Sequence, residues 1–112
     1  MIIEIAGYGK AIFLKEKLTQ YALNPLKDRH KAAAFHAALG YQLQDADALA
    51  HNVAAHINHF KPIEKPDNGY GKRFQILMTL TGKNGKTAKV MTAWIEDKDT
   101  GIIRLTSIYV KE

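Results

Sequence analysis

Hydrophobic and polar residues follow a β-type pattern in the C-terminal part of the chain. Three runs rich in strand-forming residues, at about 73–81, 87–96 and 102–110, are separated by polar stretches. The first stretch is Gly82-Lys83-Asn84-Gly85-Lys86, in which Asn-Gly supplies the positive φ angles of a tight hairpin turn. The second, residues 97–101, is a slightly longer turn. The pattern predicts a three-stranded antiparallel meander.

The N-terminal half has a helical pattern, because Ala and Leu dominate after Ile12. One helix is predicted from about Asp28 to Leu39, with Gly40 as its C-terminal cap. A second helix is predicted to begin after Asp45, and its apolar stripe suits packing on a sheet: Leu49, Val53, Ile57 and Phe60. Residues 13–23 favour a short helix and residues 1–5 a short strand. The expected fold is α+β, with N-terminal helices packed on one face of a C-terminal antiparallel β-meander.

Composition indicates one folded domain over residues 1–112. The chain is 46% hydrophobic and 24% charged, which is typical of globular proteins. No apolar run approaches the roughly 20 residues that a membrane-spanning helix needs, so no membrane span is expected. The lack of cysteine excludes disulfides, thiolate catalysis and cysteine-ligated metals.

The positive charge is concentrated in the second half of the chain. Residues 1–60 contain six Lys/Arg and five Asp/Glu, whereas residues 61–112 contain ten and six, so most of the net charge of +5 lies in the C-terminal half. This balance favours a polyanionic partner, nucleic acid before an anionic membrane surface. A basic sheet face would bind a single strand through phosphate contacts and base stacking.

The last predicted strand contains the candidate residues Arg104 and Thr106. Strict alternation would place them on one face with Ile108, and Ser107 and Tyr109 on the other. Neither face is clearly apolar, so the pattern does not decide which one is buried. A solvated charge at Arg104 and simple strand propensity at Thr106 remain alternatives.

Five histidines are candidates for proton transfer or metal binding. His51 and His59 share a face of the second predicted helix, but His56 lies off that face, so three rings do not converge. We therefore expect no metal and no other cofactor. His30 and His36 lie on the first predicted helix, where an imidazole would suit general acid–base catalysis. The alternative for each is an ordinary surface histidine.

A series of short motifs resembles a small domain at the C-termini of bacterial polymorphic toxins. The carriers of that domain are haemagglutinin-like, contact-dependent-inhibition and Maf-type secreted proteins. The first motifs are residues 17–25, then Lys31-Ala32, Phe35 and Leu39-Gly40. The later motifs are residues 80–88, then Val90, Thr92, Trp94, residues 104–106 and Tyr109. The chain departs from the family at residues 26–30, where members usually have a stretch rich in proline and glycine.

The resemblance implies a barnase/EndoU/colicin/RelE-like fold and a metal-independent ribonuclease. It implies secretion as part of a larger toxin and action in the target-cell cytoplasm. Lys31 on the helix and Arg104 and Thr106 on the last strand match the usual catalytic positions, and Thr92 and Trp94 are their neighbours. If the domain is such a toxin, we expect a cognate acidic immunity protein to cover its basic surface.

Metal-independent cleavage of RNA requires a proton acceptor, a proton donor and cations that stabilise the phosphorane. Lys31 and Arg104 would stabilise the phosphate, and Thr106 would position it by hydrogen bonding. His36 is the expected acid–base. The expected substrate-binding residues are Arg73, Thr92, Trp94 and Tyr109, and a core position is the alternative for Trp94. The alternative function is a non-catalytic nucleic-acid- or protein-binding α+β module.

Overall fold

The computed structural model describes residues 1–112 as an α+β fold with one six-stranded mixed sheet. The strands are β1 (Ile2–Ile5), β2 (Gly9–Ile12), β3 (Ile63–Lys65), β4 (Gly71–Thr81), β5 (Thr87–Asp97) and β6 (Ile103–Val110). The helices are α1 (Arg29–Leu39) and α2 (Ala46–His56). The strand order is β1-β2-β6-β5-β4-β3, and only the β2–β6 pair is parallel.

The meander of β4, β5 and β6 confirms the prediction from hydrophobic patterning. Each strand lies within two residues of its predicted bounds. The Gly82 N–H donates to the Lys86 carbonyl at 2.8 Å and closes the predicted turn. Gly85 has a φ of 80°, but Asn84 is not at positive φ, so the turn is not the tight two-residue type expected from Asn-Gly. The two long strands, β4 and β5, pair along their whole length.

The two predicted helices are present. The carboxylate of Asp28 accepts the Lys31 backbone N–H at 3.0 Å and so caps α1, and Gly40 ends the helix with a φ of 77°. Helix α2 begins directly after Asp45. The helix expected within residues 13–23 is reduced to one π-helical turn, Leu18–Ala22.

The short strand expected within residues 1–5 is present as β1, but it belongs to an N-terminal hairpin with β2 that was not predicted. Strand β1 pairs with β2, and β2 continues the sheet beside β6 through the Ile12–Arg104 pair. The turn between β1 and β2 contains Gly7 and Gly9, both at positive φ. Strand β3 lies inside the segment expected to be a loop, residues 61–71, because three of its residues pair with β4.

One core joins the sheet to the helices. Helix α1 packs against β5 and β6, and α2 packs against β4. The sheet is curled, so that Tyr8 in the β1–β2 turn lies against residues of the opposite edge. Its ring stacks on Phe74 with centroids 4.0 Å apart, and its hydroxyl donates to the Glu64 carboxylate at 3.0 Å. No helix has both the length and the apolar character needed to span a membrane.

Candidate functional site

A β-bulge in β6 determines which of its side chains share a face. Ala93 pairs with Ser107 and Trp94 pairs with Leu105, so Thr106 is an extra residue between two regular pairs. A bulge of this kind reverses the alternation of side chains on one side of the insertion.

Because of the bulge, the β6 side chains divide between the two faces of the sheet differently from strict alternation. Ile103, Leu105 and Ile108 are all buried. Arg104 lies on the opposite face with Ser107 and Tyr109, and not with Ile108 as strict alternation predicted. We call this exposed side of β3–β6 the outer face.

A cavity of about 150 Å³ lies where α1 and the Leu18–Ala22 turn meet β6. Two lysines and three hydroxyl side chains of this pocket can bind an anion, and the Asp28 carboxylate, which caps α1, is its one acidic group. Its polar lining residues are Lys17, Tyr21, Asp28, Lys31, Thr106 and Ser107. Of the predicted catalytic residues, the structure therefore brings together Lys31 and Thr106. Sequence reasoning did not identify Lys17, Tyr21 and Ser107 as site residues.

The ammonium of Lys31 is held at the pocket by two side chains of β6. Its Nζ donates to Ser107 Oγ at 3.1 Å and lies 5.6 Å from the centroid of the Tyr109 ring. On the other side of the pocket, Lys17 Nζ lies 5.6 Å from the centroid of the Tyr21 ring. Two lysines, each beside a phenol ring, thus flank the same cavity.

The Thr106 and Ser107 hydroxyls of the pocket differ in their hydrogen bonds. Thr106 Oγ1 donates to the Ala93 carbonyl at 3.1 Å, so its proton is engaged within the sheet. Ser107 Oγ accepts from Lys31, which leaves its own proton available for a ligand. Because a phosphate oxygen is a hydrogen-bond acceptor, Ser107 is better placed than Thr106 to bind one.

Arg104 lies on the outer face and does not line the pocket. Its Nη1 is 3.9 Å from Asp97 Oδ2, an ion pair at the end of β5. Backbone N–H groups of Asp99 and Thr100 donate to Asp97 and hold the pKa of its carboxyl below the usual range, and Arg104 contributes in the same direction. Asp97 therefore stays ionised and neutralises part of the Arg104 charge.

His36 does not reach the pocket. It lines a separate cavity beside Arg29 and Gln42, so its predicted acid–base role at Lys31 is not supported by the geometry. The histidine near the site is His30, which lines a shallow groove together with Lys31 and Tyr109.

Two predicted substrate-binding residues are in the core. Thr92 is fully buried, where its hydroxyl donates to the Ile76 carbonyl and accepts from Trp94 Nε1, both at 2.9 Å. Trp94 is 1% exposed. Neither side chain can touch a substrate here, and both contribute to the core. For Trp94 this is the alternative that the sequence left open, and regular alternation in β5 places Thr92 on the same buried face.

The other two predicted substrate-binding residues are accessible. Arg73 is exposed on the outer face, and its Nε and Nη2 both donate to the Pro66 carbonyl at 3.1 Å. Tyr109 is half-buried beside Lys31. No group of three or more His, Asp or Glu side chains is arranged to hold a metal ion.

A protein-family model described as "Domain of unknown function (DUF6883)" matches residues 4–112. No curated protein and no solved structure matches the chain significantly.

Proposed function

The chain belongs to the DUF6883 family of domains of unknown function, and we propose that it is a metal-independent endoribonuclease. The observation that carries this proposal is the contact between Lys31 Nζ and Ser107 Oγ, at 3.1 Å, in a pocket that Lys17 also lines. Two ammonium groups and a free hydroxyl proton together suit the charge and hydrogen-bonding pattern of a phosphodiester.

In the proposed reaction the ribose 2′-hydroxyl attacks the adjacent phosphorus and loses its proton to a base. The bond from phosphorus to the 5′-oxygen of the next nucleotide breaks, and that oxygen takes up a proton. The products are a 2′,3′-cyclic phosphate and a 5′-hydroxyl. Lys31 and Lys17 stabilise the charge that develops on the phosphorane, and Ser107 donates a hydrogen bond to it.

His30 replaces His36 as the proposed proton acceptor. It immediately precedes Lys31 on α1, and the two residues line one groove with Tyr109. Imidazole exchanges protons near neutral pH, as a general base requires. Tyr109 also lines this groove, and its hydroxyl is the proposed proton donor to the leaving oxygen.

The wider proposal is that this domain is the C-terminal toxin module of a secreted bacterial polymorphic toxin. It would act in the cytoplasm of the target cell, and an acidic immunity protein would protect the producer. The net charge of +5 supports an acidic partner. A barnase/EndoU/colicin/RelE-like arrangement is part of the proposal, with the helices covering one face of the meander and the other face left open to RNA.

The first experiment incubates the purified domain with total RNA and EDTA and compares two matched pairs of variants. Lys31→Ala is expected to reduce cleavage about 100-fold, because it removes a cation from the transition state. Lys27→Ala, at an exposed lysine outside the pocket, retains full activity. His30→Ala loses about 100-fold, whereas His36→Ala does not.

Several outcomes would decide against the proposal. Intact RNA with the native domain rejects a ribonuclease, and cleavage by a folded Lys31→Ala variant at the native rate rejects this pocket as its site. Cleavage of more RNA molecules than protein molecules present excludes a non-catalytic binding module. Circular dichroism of each variant confirms that activity is lost without loss of the fold.

A further inference from the structure

The outer face carries a marked excess of positive charge. Residues that pair directly across neighbouring strands share a face, so the register identifies its members. Four basic side chains lie on this face: Lys65, Arg73, Lys89 and Arg104. The only acidic side chain of β3–β6 on it is Asp97, which pairs with Arg104.

An apolar row lies between the basic positions. Leu77, Met91 and Tyr109 are direct neighbours across β4, β5 and β6. Leu77 is 37% exposed, and the other two are half-buried. Arg73 and Arg104 lie on one side of this apolar row, and Lys89 lies on its other side. An apolar centre with a basic border therefore spans three strands.

This face is continuous with the pocket. Ser107 and Tyr109 belong to the outer face by register, and both contact the Lys31 ammonium. A chain lying on the face would reach the pocket without crossing another element, because β6 is the strand that contributes to both.

We propose that the outer face binds a single-stranded segment of RNA and guides it to the Lys31 pocket. This inference rests on the proposed ribonuclease function and adds the substrate class. A duplex presents phosphates and riboses to a flat surface and would leave the apolar row facing polar backbone. Unpaired bases can pack on Leu77, Met91 and the Tyr109 ring while their phosphates contact Arg73 and Lys89.

The test measures binding of the full chain to a fluorescent RNA oligonucleotide whose 2′-positions are methylated, so that no cleavage can occur. Arg73→Ala is compared with Lys72→Ala, which removes the same charge from the adjacent residue on the opposite face. Arg73→Ala is expected to weaken binding about fivefold. It also lowers the slope of log affinity against log salt by about 0.7, the value for one contact to a single strand. Lys72→Ala leaves both quantities close to native.

A second variant tests the apolar row. Leu77→Ala, at an exposed position, is expected to weaken binding of the single strand about threefold without changing the salt slope. Duplex RNA of the same sequence should bind more weakly than the single strand. Equal or tighter binding of the duplex overturns the proposal.

The remaining outcomes separate this proposal from the ribonuclease function. Cleavage of RNA together with native binding by Arg73→Ala rejects the outer face and leaves the function intact. Failure of the native chain to bind or cleave any RNA rejects both. If polyglutamate of equal charge competes as well as the single strand, the face recognises an acidic protein and the RNA proposal is wrong.

Discussion

At the level of single residues, the hydroxyls of Thr92, Thr106 and Ser107 on β5 and β6 make different hydrogen bonds and so have different roles. The Thr92 hydroxyl is fully buried and makes two hydrogen bonds within the core. Thr106 donates to the sheet, and Ser107 accepts from Lys31. Only Ser107 retains a proton for a ligand, so it is the hydroxyl on which the proposed chemistry depends.

The substitution Thr92→Val tests the structural role of the buried hydroxyl. Valine has nearly the same shape, but it leaves the Trp94 indole N–H and the Ile76 carbonyl without this partner. We expect the free energy of unfolding to fall by about 1–3 kcal/mol, as measured by urea denaturation.

Thr79→Val is the matched control, because Thr79 is exposed on the neighbouring strand. It should change the free energy of unfolding by less than about 0.5 kcal/mol. At a temperature where Thr92→Val remains folded, its RNA cleavage should equal that of the native domain. Loss of cleavage in the folded variant would mean that Thr92 contributes to the site after all.

At the level of the element, the bulge in β6 belongs to both the sheet and the pocket, because its extra residue, Thr106, lines the pocket. Deleting Thr106 would leave every β5–β6 pair in place, because Thr106 is the residue without a partner in the register. Ile103, Leu105 and Ile108 would then follow regular alternation and stay buried. We expect the deletion variant to fold, with a melting temperature within a few degrees of native, and to lose cleavage because the pocket wall changes shape.

Thr106→Ala tests the role of the Thr106 hydroxyl separately from that of the bulge. It keeps the extra residue and removes only a side chain whose proton is already engaged by Ala93. Cleavage by this variant should remain within about tenfold of native, above the level left by the deletion. A deletion variant that cleaves RNA at the native rate would show that the bulge has no part in the site.

The elements differ in how far the sequence could predict them. The meander and both helices were predictable, because alternation, the Asn-Gly turn and the Asp28 and Gly40 caps are local signals. The bulge was not, since Thr106 and both its neighbours suit a strand and nothing local marks the extra residue. The strand at residues 1–5 was predicted, but β2 and the hairpin that it forms with β1 were not, because β2 is only four residues long.

The reach of local sequence signals also explains which residues of the candidate site could be predicted. Lys31 was identified through a resemblance of short motifs, and its position on a helix was correct. Its partner Ser107 could not be chosen without the bulge, which places that residue beside Lys31 rather than in the core. No local sequence signal separates His36, the predicted acid–base, from His30, and only the packing of α1 against β6 distinguishes them.

At the level of the whole molecule, Tyr8 joins the two ends of the curled sheet. Its turn belongs to the β1 edge, and its partners Phe74 and Glu64 lie on β4 and β3. Burial raises the pKa of the Tyr8 phenol above its ordinary value of 10.0. The hydrogen bond to Glu64 and the negative charges of Glu64 and Glu96 act in the same direction. The folded protein therefore favours the neutral phenol.

The consequence for stability appears at alkaline pH. Because the folded-state pKa is raised, the contribution of Tyr8 is fully present below about pH 10 and is lost as pH rises through the folded-state pKa. We expect Tyr8→Phe, which keeps the ring and removes the ionisation, to show a shallower fall in unfolding free energy above about pH 10. Urea denaturation from neutral pH to about pH 11 measures this slope.

Tyr70→Phe provides the control, since Tyr70 is 74% exposed and lies outside the contact between the sheet edges. Its stability should follow the native pH dependence throughout, because lysines and the remaining tyrosines titrate alike in both proteins. If Tyr8→Phe also follows the native curve above pH 10, ionisation of Tyr8 does not govern the contact between the sheet edges. A shallower slope in Tyr8→Phe alone would mean that ionising this one phenol weakens the closure of the sheet.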